Sequence, residues 1–146
     1  MSLPELVDSA IVLRADAADW RSAVRLVGAA LVASGSTTAG YSDEMIRMIE
    51  EHGPYVVIAP GLALAHARPG ADVLADGLAV VTLESPVKFG HPHNDPVKVV
   101  LGLALRGTQG HLESIADLAN IFNDSTAIAD LAAAATADEV RTIMGS

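Results

Sequence analysis

The side chains in this sequence best equipped for chemistry are five histidines, His52, His66, His91, His93 and His111, together with Arg68. There is no cysteine, so thiolate chemistry and disulfides are excluded. His66 stands where a short apolar run stops, and Arg68, Pro69 and Gly70 follow. An imidazole nitrogen is a nucleophile and a guanidinium holds anionic oxygens, so the pair has the parts to take and keep a phosphoryl group. On residue types alone, a surface turn that happens to contain a histidine is the simpler reading. His111 follows Arg106-Gly107 at the start of a helical pattern, where free N–H groups and the helix dipole favour an anion. A polar helix-start residue is the alternative there. His91 belongs to a loop with Asn94-Asp95-Pro96, whose Asn or Asp can equally cap its own turn. His91-Pro92-His93 with His66 or His111 could supply imidazole ligands, but the proline hinders convergence of the two rings and zinc sites need an organised outer shell. No metal site and no cofactor are assigned. His52 ends a helix and suits its dipole when protonated, a structural role.

These residues need elements to position them. Tyr55–Ala59 and Leu62–Ala65 read as two strands joined by a tight turn at Pro60-Gly61, the second delivering His66. Upstream, Leu3–Ser9 suggests a short helix and Ile11–Arg14 a brief strand. Asp16 is placed as the N-cap of a helix ending near Gly35, with Trp20, Val24, Val27 and Leu31 on its buried face. Ser42 is placed as the cap of a helix that stops at His52-Gly53, its methionines read as core filler. Gly77–Leu83 and Val97–Leu105 are continuous apolar runs, as expected for strands covered on both faces. Gln109–Asn123 is a helix with Leu112, Ile115, Leu118, Ala119 and Phe122 on one face. Ser125 opens an alanine-rich helix in which Ala132–Ala135 pack closely, and Thr136 to Glu139 form a capping box before Val140. Helices before, strands in the middle and helices after give an α/β fold, a helix/sheet/helix sandwich. Ligands in such sheets collect beyond the carboxyl ends of strands, so strands ending side by side could bring His66 and His111 together.

The bulk properties narrow the functions. At 146 residues the chain fits one domain, 1–146, with one sizeable core built of aliphatic side chains. A net charge of −9 with scattered basic residues argues against nucleic acid. No apolar run reaches the roughly 18 residues of a membrane span, which argues against membrane insertion. The first residues, MSLPELVDS, lack the basic and apolar regions of a secretory signal, so a cytoplasmic protein is expected. No GxxxxGK[ST] loop, GxSxG elbow or HExxH helix is present, which argues against direct ATP use and against the corresponding hydrolases.

The ordered set of motifs is more specific than any one of them. Gly53-Pro54-Tyr55, Ala59-Pro60-Gly61 and His66-Ala67-Arg68-Pro69 resemble the phosphorylation-site segment of enzyme IIA components of the bacterial phosphoenolpyruvate-dependent sugar phosphotransferase system. Within them the chain is most similar to the ascorbate-type branch of the mannitol/fructose class. The resemblance continues through Phe89–Val100 and Gln109–Phe122 and covers most of the chain. It implies a three-layer α/β/α sandwich with a central mixed sheet. It implies that His66 accepts a phosphoryl group from the histidine-containing phosphocarrier protein and passes it to a cysteine of the cognate enzyme IIB, with a membrane enzyme IIC downstream. It also implies that His111 steadies the phosphoryl group or the active imidazole, and that the loop of His91 and Asn94 borders the site, with Arg68 a phosphate contact. Ala65 departs from the pattern, since relatives usually carry proline before the active histidine; the change removes a φ restraint. A regulatory module of the same fold, phosphorylated but feeding no transporter, shares His66. The two part on whether the phosphate leaves for an enzyme IIB cysteine. A small-molecule or metal-binding domain without transfer activity is a third reading, and it would accept no phosphate from the phosphocarrier.

Overall fold

The computed structural model describes residues 3–107 and 109–145, with the backbone alone for residues 109–111. A 3-10 turn, Asp8–Ala10, leads into β1 (Ile11–Ala15). Two helices follow, α1 (Trp20–Ala33) and α2 (Gly40–His52), then β2 (Val57–Ala59), β3 (Leu62–His66), β4 (Gly77–Val87) and β5 (Val97–Ala104). Helices α3 (Gln109–Phe122), α4 (Ala127–Ala133) and α5 (Ala137–Met144) complete the described chain. The strands form one mixed sheet in the order β1-β4-β5-β3-β2. β1 is parallel to β4 and β3 to β5, while β4–β5 and β2–β3 are antiparallel.

The apolar runs become the buried middle of this sheet. β3, β5 and the first seven residues of β4 are buried almost throughout, because helices cover both faces. α1 packs on β4 and β5 through Val24, Val27 and Leu31, all fully buried, and α4 lies against the same two strands from the other side. The α1 contact depends on Gly102. A Cβ built there would lie 2.7 Å from Val27 Cγ2 and 3.2 Å from Leu31 Cδ1, so the glycine is what lets α1 approach β5. The result is the three-layer α/β/α sandwich with a mixed sheet.

Several local expectations are corrected. Only Asp8–Ala10 turns where a helix was expected over Leu3–Ser9; the segment is too short to nucleate one, and the Arg141 guanidinium of α5 takes the Leu6 carbonyl at 2.9 Å. The cap of α1 is Asp19, not Asp16: its carboxylate accepts the Ser22 N–H at 2.8 Å, and that bond holds its pKa below the usual value. Trp20 is half-buried, packing against Phe89 with Arg21 stacked over it. Ser42 does not cap α2, which begins at Gly40; it is buried within the helix, against the gap left by Gly28 of α1. Asp124, not Ser125, organises the entry to α4 by accepting from both the N–H and the hydroxyl of Thr126. The alanine run leaves helix after Ala133. On α3, Leu118 is buried and Ile115 and Phe122 pack against the core as expected, but Ser114 is buried with them and Leu112 is 76% exposed. At α5 the Thr136 hydroxyl accepts the Glu139 N–H as a capping box requires, while the Glu139 carboxylate reaches the Ala135 N–H, one residue further back.

Candidate active site

β3 runs parallel to β5 in unbroken register from Leu62↔Val99 to His66↔Leu103, so His66 emerges where two central strands end together. Ala65 pairs with Gly102 inside this ladder, so the strand supplies the restraint that a proline would otherwise give. The buried Tyr41 of α2 closes the strand ends. Its hydroxyl donates to the Leu103 carbonyl at 2.8 Å and accepts the Ala67 N–H at 3.0 Å. Burial pushes this phenol up to about 12. The backbone on either side of the His66 position is therefore fixed from below.

The imidazole itself has a defined tautomer. His66 Nδ1 lies 2.9 Å from the Leu64 carbonyl, which can only accept, so Nδ1 carries the proton. Nε2 is left with the lone pair. Tyr55 stands beside the ring, 5.6 Å between centroids and nearly perpendicular at 88°. A cavity of about 440 Å³ opens here, lined by His66, Arg68, His52 and Tyr55 with Met48, Leu103 and other apolar groups. Arg68 is exposed at the rim, and among the described residues no carboxylate pairs with it. By contrast, Arg21, Arg25, Arg47 and Arg141 are each matched to carboxylates. Within a chain of net charge −9, the Arg68 guanidinium lines the same cavity as His66. Burial raises the Tyr55 phenol, and the Arg68 charge pulls the other way, so the two share one environment.

The structure brings His66 and Arg68 together but separates His91 and Asn94 from them. Asn94 offers its carbonyl to the Gly61 N–H at 3.0 Å, at the start of β3, whereas His66 is at its end. Five residues of strand, about 16 Å, lie between. His91 Nδ1 accepts the N–H groups of His93 and Asn94, and the Asp95 carboxylate accepts those of Phe89, Gly90 and His91. The loop therefore organises its own turn and does not border the cavity, a correction to its expected place. Its donors and acceptors satisfy each other, and sequence spacing cannot say at which strand end a loop lies. The His111 side chain lies outside the described residues; its backbone is the third residue of α3, a helix that starts soon after β5 ends. Among the described residues no group of three or more His, Cys, Asp or Glu could hold a metal ion.

Two cavity residues were assigned elsewhere by sequence. Met48 is half-buried and lines the cavity instead of filling the core as Met45 does. His52 also lines it, at the α2 C-terminus. The available signal was the brevity of the Gly53-Pro54 connection, which leaves the last turn of α2 little room to stand away from Tyr55.

Residues 6–146 match the family model described as the phosphoenolpyruvate-dependent sugar phosphotransferase system EIIA 2. The chain belongs to this EIIA family. It is 37% identical over 134 residues to the ascorbate-specific PTS system EIIA component of Shigella boydii, covering 91% of this chain and 87% of that one. A crystal structure of a putative PTS IIA domain from Streptococcus pyogenes superposes with a TM-score of 0.86 at 33% identity, covering 93% of this chain and 89% of that one. The Escherichia coli complex of enzyme IIA for mannitol with phosphorylated enzyme IIB gives 0.85 at 26% identity, covering 97% of both chains. The resemblance to the mannitol/fructose class and its ascorbate-type branch holds. As a member of this family, the chain is a phosphotransfer component of the sugar phosphotransferase system. No helix among the described residues is long and apolar enough to cross a membrane.

Proposed function

We propose that His66 is the residue phosphorylated, and that Nε2 is the atom. The reading rests above all on the Nδ1 contact with the Leu64 carbonyl, which leaves Nε2 unprotonated beside a cavity with a cationic rim. The Nε2 lone pair attacks the phosphorus of a phosphohistidine on the phosphocarrier protein. The new N–P bond forms as the donor's N–P bond breaks, and that bonding pair returns to the donor imidazole. No proton moves, because Nδ1–H stays on the Leu64 carbonyl and that carbonyl stabilises the imidazolium formed. Arg68 holds the equatorial oxygens, the electrostatic help that phosphoryl transfer needs most. His111 joins it from the first turn of α3. In the second step an enzyme IIB cysteine thiolate attacks phosphorus, the S–P bond forms, and Nε2 recovers its lone pair. Enzyme IIC then takes the sugar across the membrane while this carrier works in the cytoplasm. The ascorbate-specific relatives make ascorbate the sugar we assign.

The test is incubation with phosphoenolpyruvate, enzyme I and the phosphocarrier, followed by mapping of the labelled residue and addition of enzyme IIB. Label is expected on His66 alone, none on a His66→Ala protein, and loss of label to the IIB cysteine. Label on His111 or any other residue of the native protein overturns the assignment.

A further inference from the structure

The cavity at the end of β3 runs against the charge of the whole chain. The sequence holds 18 Asp and Glu residues against nine Lys and Arg, yet the described lining has two imidazoles, a guanidinium and no carboxylate. Of the three basic groups, His52 has no part in the reaction so far. It is the last residue of α2, where Gly53, at φ 83, turns the chain away and closes its N–H on the Ile49 carbonyl at 2.8 Å. Among the described residues neither ring nitrogen makes a hydrogen bond. The Glu51 carboxylate comes only to 3.9 Å from Nε2, and its other oxygen accepts from Arg47 at 2.8 Å. The His52 ring meets Tyr55 edge-on, 6.4 Å between centroids and at 81°, as His66 does at 5.6 Å and 88°. Both imidazoles therefore share one aromatic neighbour and one cavity. With 51% of its side chain open to solvent, core filling does not account for His52.

From this arrangement we infer that His52 is a second anion contact of the cavity: with Arg68 it holds the phosphoryl group that His66 accepts. The C-terminus of a helix carries roughly half a negative elementary charge, and Glu51 stands beside it at the end of α2. Both repel an incoming phosphoryl group, whose oxygens need electrostatic stabilisation during transfer. An imidazole at this place offsets that repulsion. Neutral, it has one N–H to donate; protonated, it has two and a positive charge. The charged and titratable groups around it are Arg47 and Glu51 on its own helix, Tyr55 in the turn that follows, and His66 and Arg68 in the cavity lining. Glu51 is the one carboxylate among them, and it is shared with Arg47. This role of His52 rests on His66 being the acceptor. It adds a group from α2 to those at the end of β3 and the start of α3.

The test uses the full chain in single-turnover transfer from the phosphorylated phosphocarrier at varied donor concentration, with the labelled residue mapped. Losing one preorganised donor costs on the order of a hundred- to a thousandfold in an enclosed site. Because half of the His52 side chain is in solvent, His52→Ala is expected to lower the maximal rate about tenfold, with the half-saturating donor concentration unchanged. His52→Arg, which restores a donor and a cation, is expected to recover most of that rate. His52→Phe keeps a ring against Tyr55 without a polar atom. It is expected to be as slow as the alanine variant, and it replaces that variant if the alanine protein does not fold. Nitrogen-15 spectra give a readout that a helix-end role alone does not move. The His52 ring signals are expected to shift when the native protein is phosphorylated and to stay in place in His66→Ala treated the same way. A native maximal rate in His52→Ala or His52→Phe overturns the inference, as does a His52→Arg protein no faster than they are. So does an effect on donor saturation alone, which would make His52 a docking contact, and so do His52 ring signals unmoved by phosphorylation. Label on His66 at the native rate in these variants sinks only the role of His52, whereas label on another residue of the native protein sinks the acceptor and this role with it.

Discussion

Removing one oxygen atom, in Tyr41→Phe, tests how the strand ends beneath His66 are held. The ring is buried, so the variant keeps its packing and loses only the bridge between the Leu103 carbonyl and the Ala67 N–H. Leaving a buried polar group without its partner costs about 1–3 kcal/mol, and these two groups can partly satisfy each other, so the expected loss is roughly 2 kcal/mol. The same phenol makes a second, pH-dependent signature. Burial raises its folded pKa from an ordinary 10.0 to about 12, so the folded state favours the protonated form. That contribution is complete below the unfolded pKa and is lost as pH rises through the folded one. At 1.36 kcal/mol per unit it amounts to about 3 kcal/mol, lost across the interval from about pH 10 to about pH 12. Urea denaturation at about pH 8 should therefore show a lower midpoint at unchanged slope in Tyr41→Phe, because stability and not compactness has changed. Repeated at rising pH, the native protein should lose stability more steeply than the variant, because only Tyr55 of the two phenols remains to titrate upward. A variant with the native midpoint, or with the native alkaline slope, refutes the bridge.

Other consequences follow from where residues sit. Arg68→Ala should slow phosphoryl transfer on the order of a hundredfold, the usual cost of one lost electrostatic donor, while its exposed side chain leaves the urea midpoint near native. His91→Ala, in single-turnover transfer from the phosphorylated phosphocarrier, should transfer at the native rate, because its loop lies at the start of β3; a slowed His91 variant would contradict that placement. Gly102→Ala should destabilise by roughly 1–3 kcal/mol in urea denaturation, since the added Cβ meets Val27 and Leu31 in a close-packed layer; a native midpoint would show that α1 can shift freely.

Much of this protein is legible as sequence because its signals are local. Continuous apolar runs mark β4 and β5 as central strands, a Pro-Gly break separates β2 from β3, and His66-Ala67-Arg68-Pro69 marks the end of β3, since each is fixed by residues next to one another. Caps were less legible. Asp16 and Asp19 are both acidic residues ahead of the same helix, and only the path of the backbone brings the Ser22 N–H to Asp19. The inward face of α3 was judged correctly at Ile115, Leu118 and Phe122 but not at Leu112, for a related reason. Helical periodicity allows several stripes, and the packing of neighbouring layers selects the one through Ser114 and Leu118.

The site divides along the same line. Sequence alone determined that an imidazole ends a strand beside an arginine, because both lie within three residues. Only the tertiary structure decided which nitrogen carries the proton, since that depends on a carbonyl reached when β3 is extended and His66 folds back on Leu64. It alone brought Met48, His52 and Tyr55 to the cavity and Tyr41 beneath the strand ends, because α2 and the turn after it pack beside the ends of β3 and β5. It also put His91 and Asn94 at the other end of the sheet. A loop between two antiparallel strands can lie at either end of their neighbours, and it is the parallel register of β3 with β5 that leaves the loop a full strand length from His66.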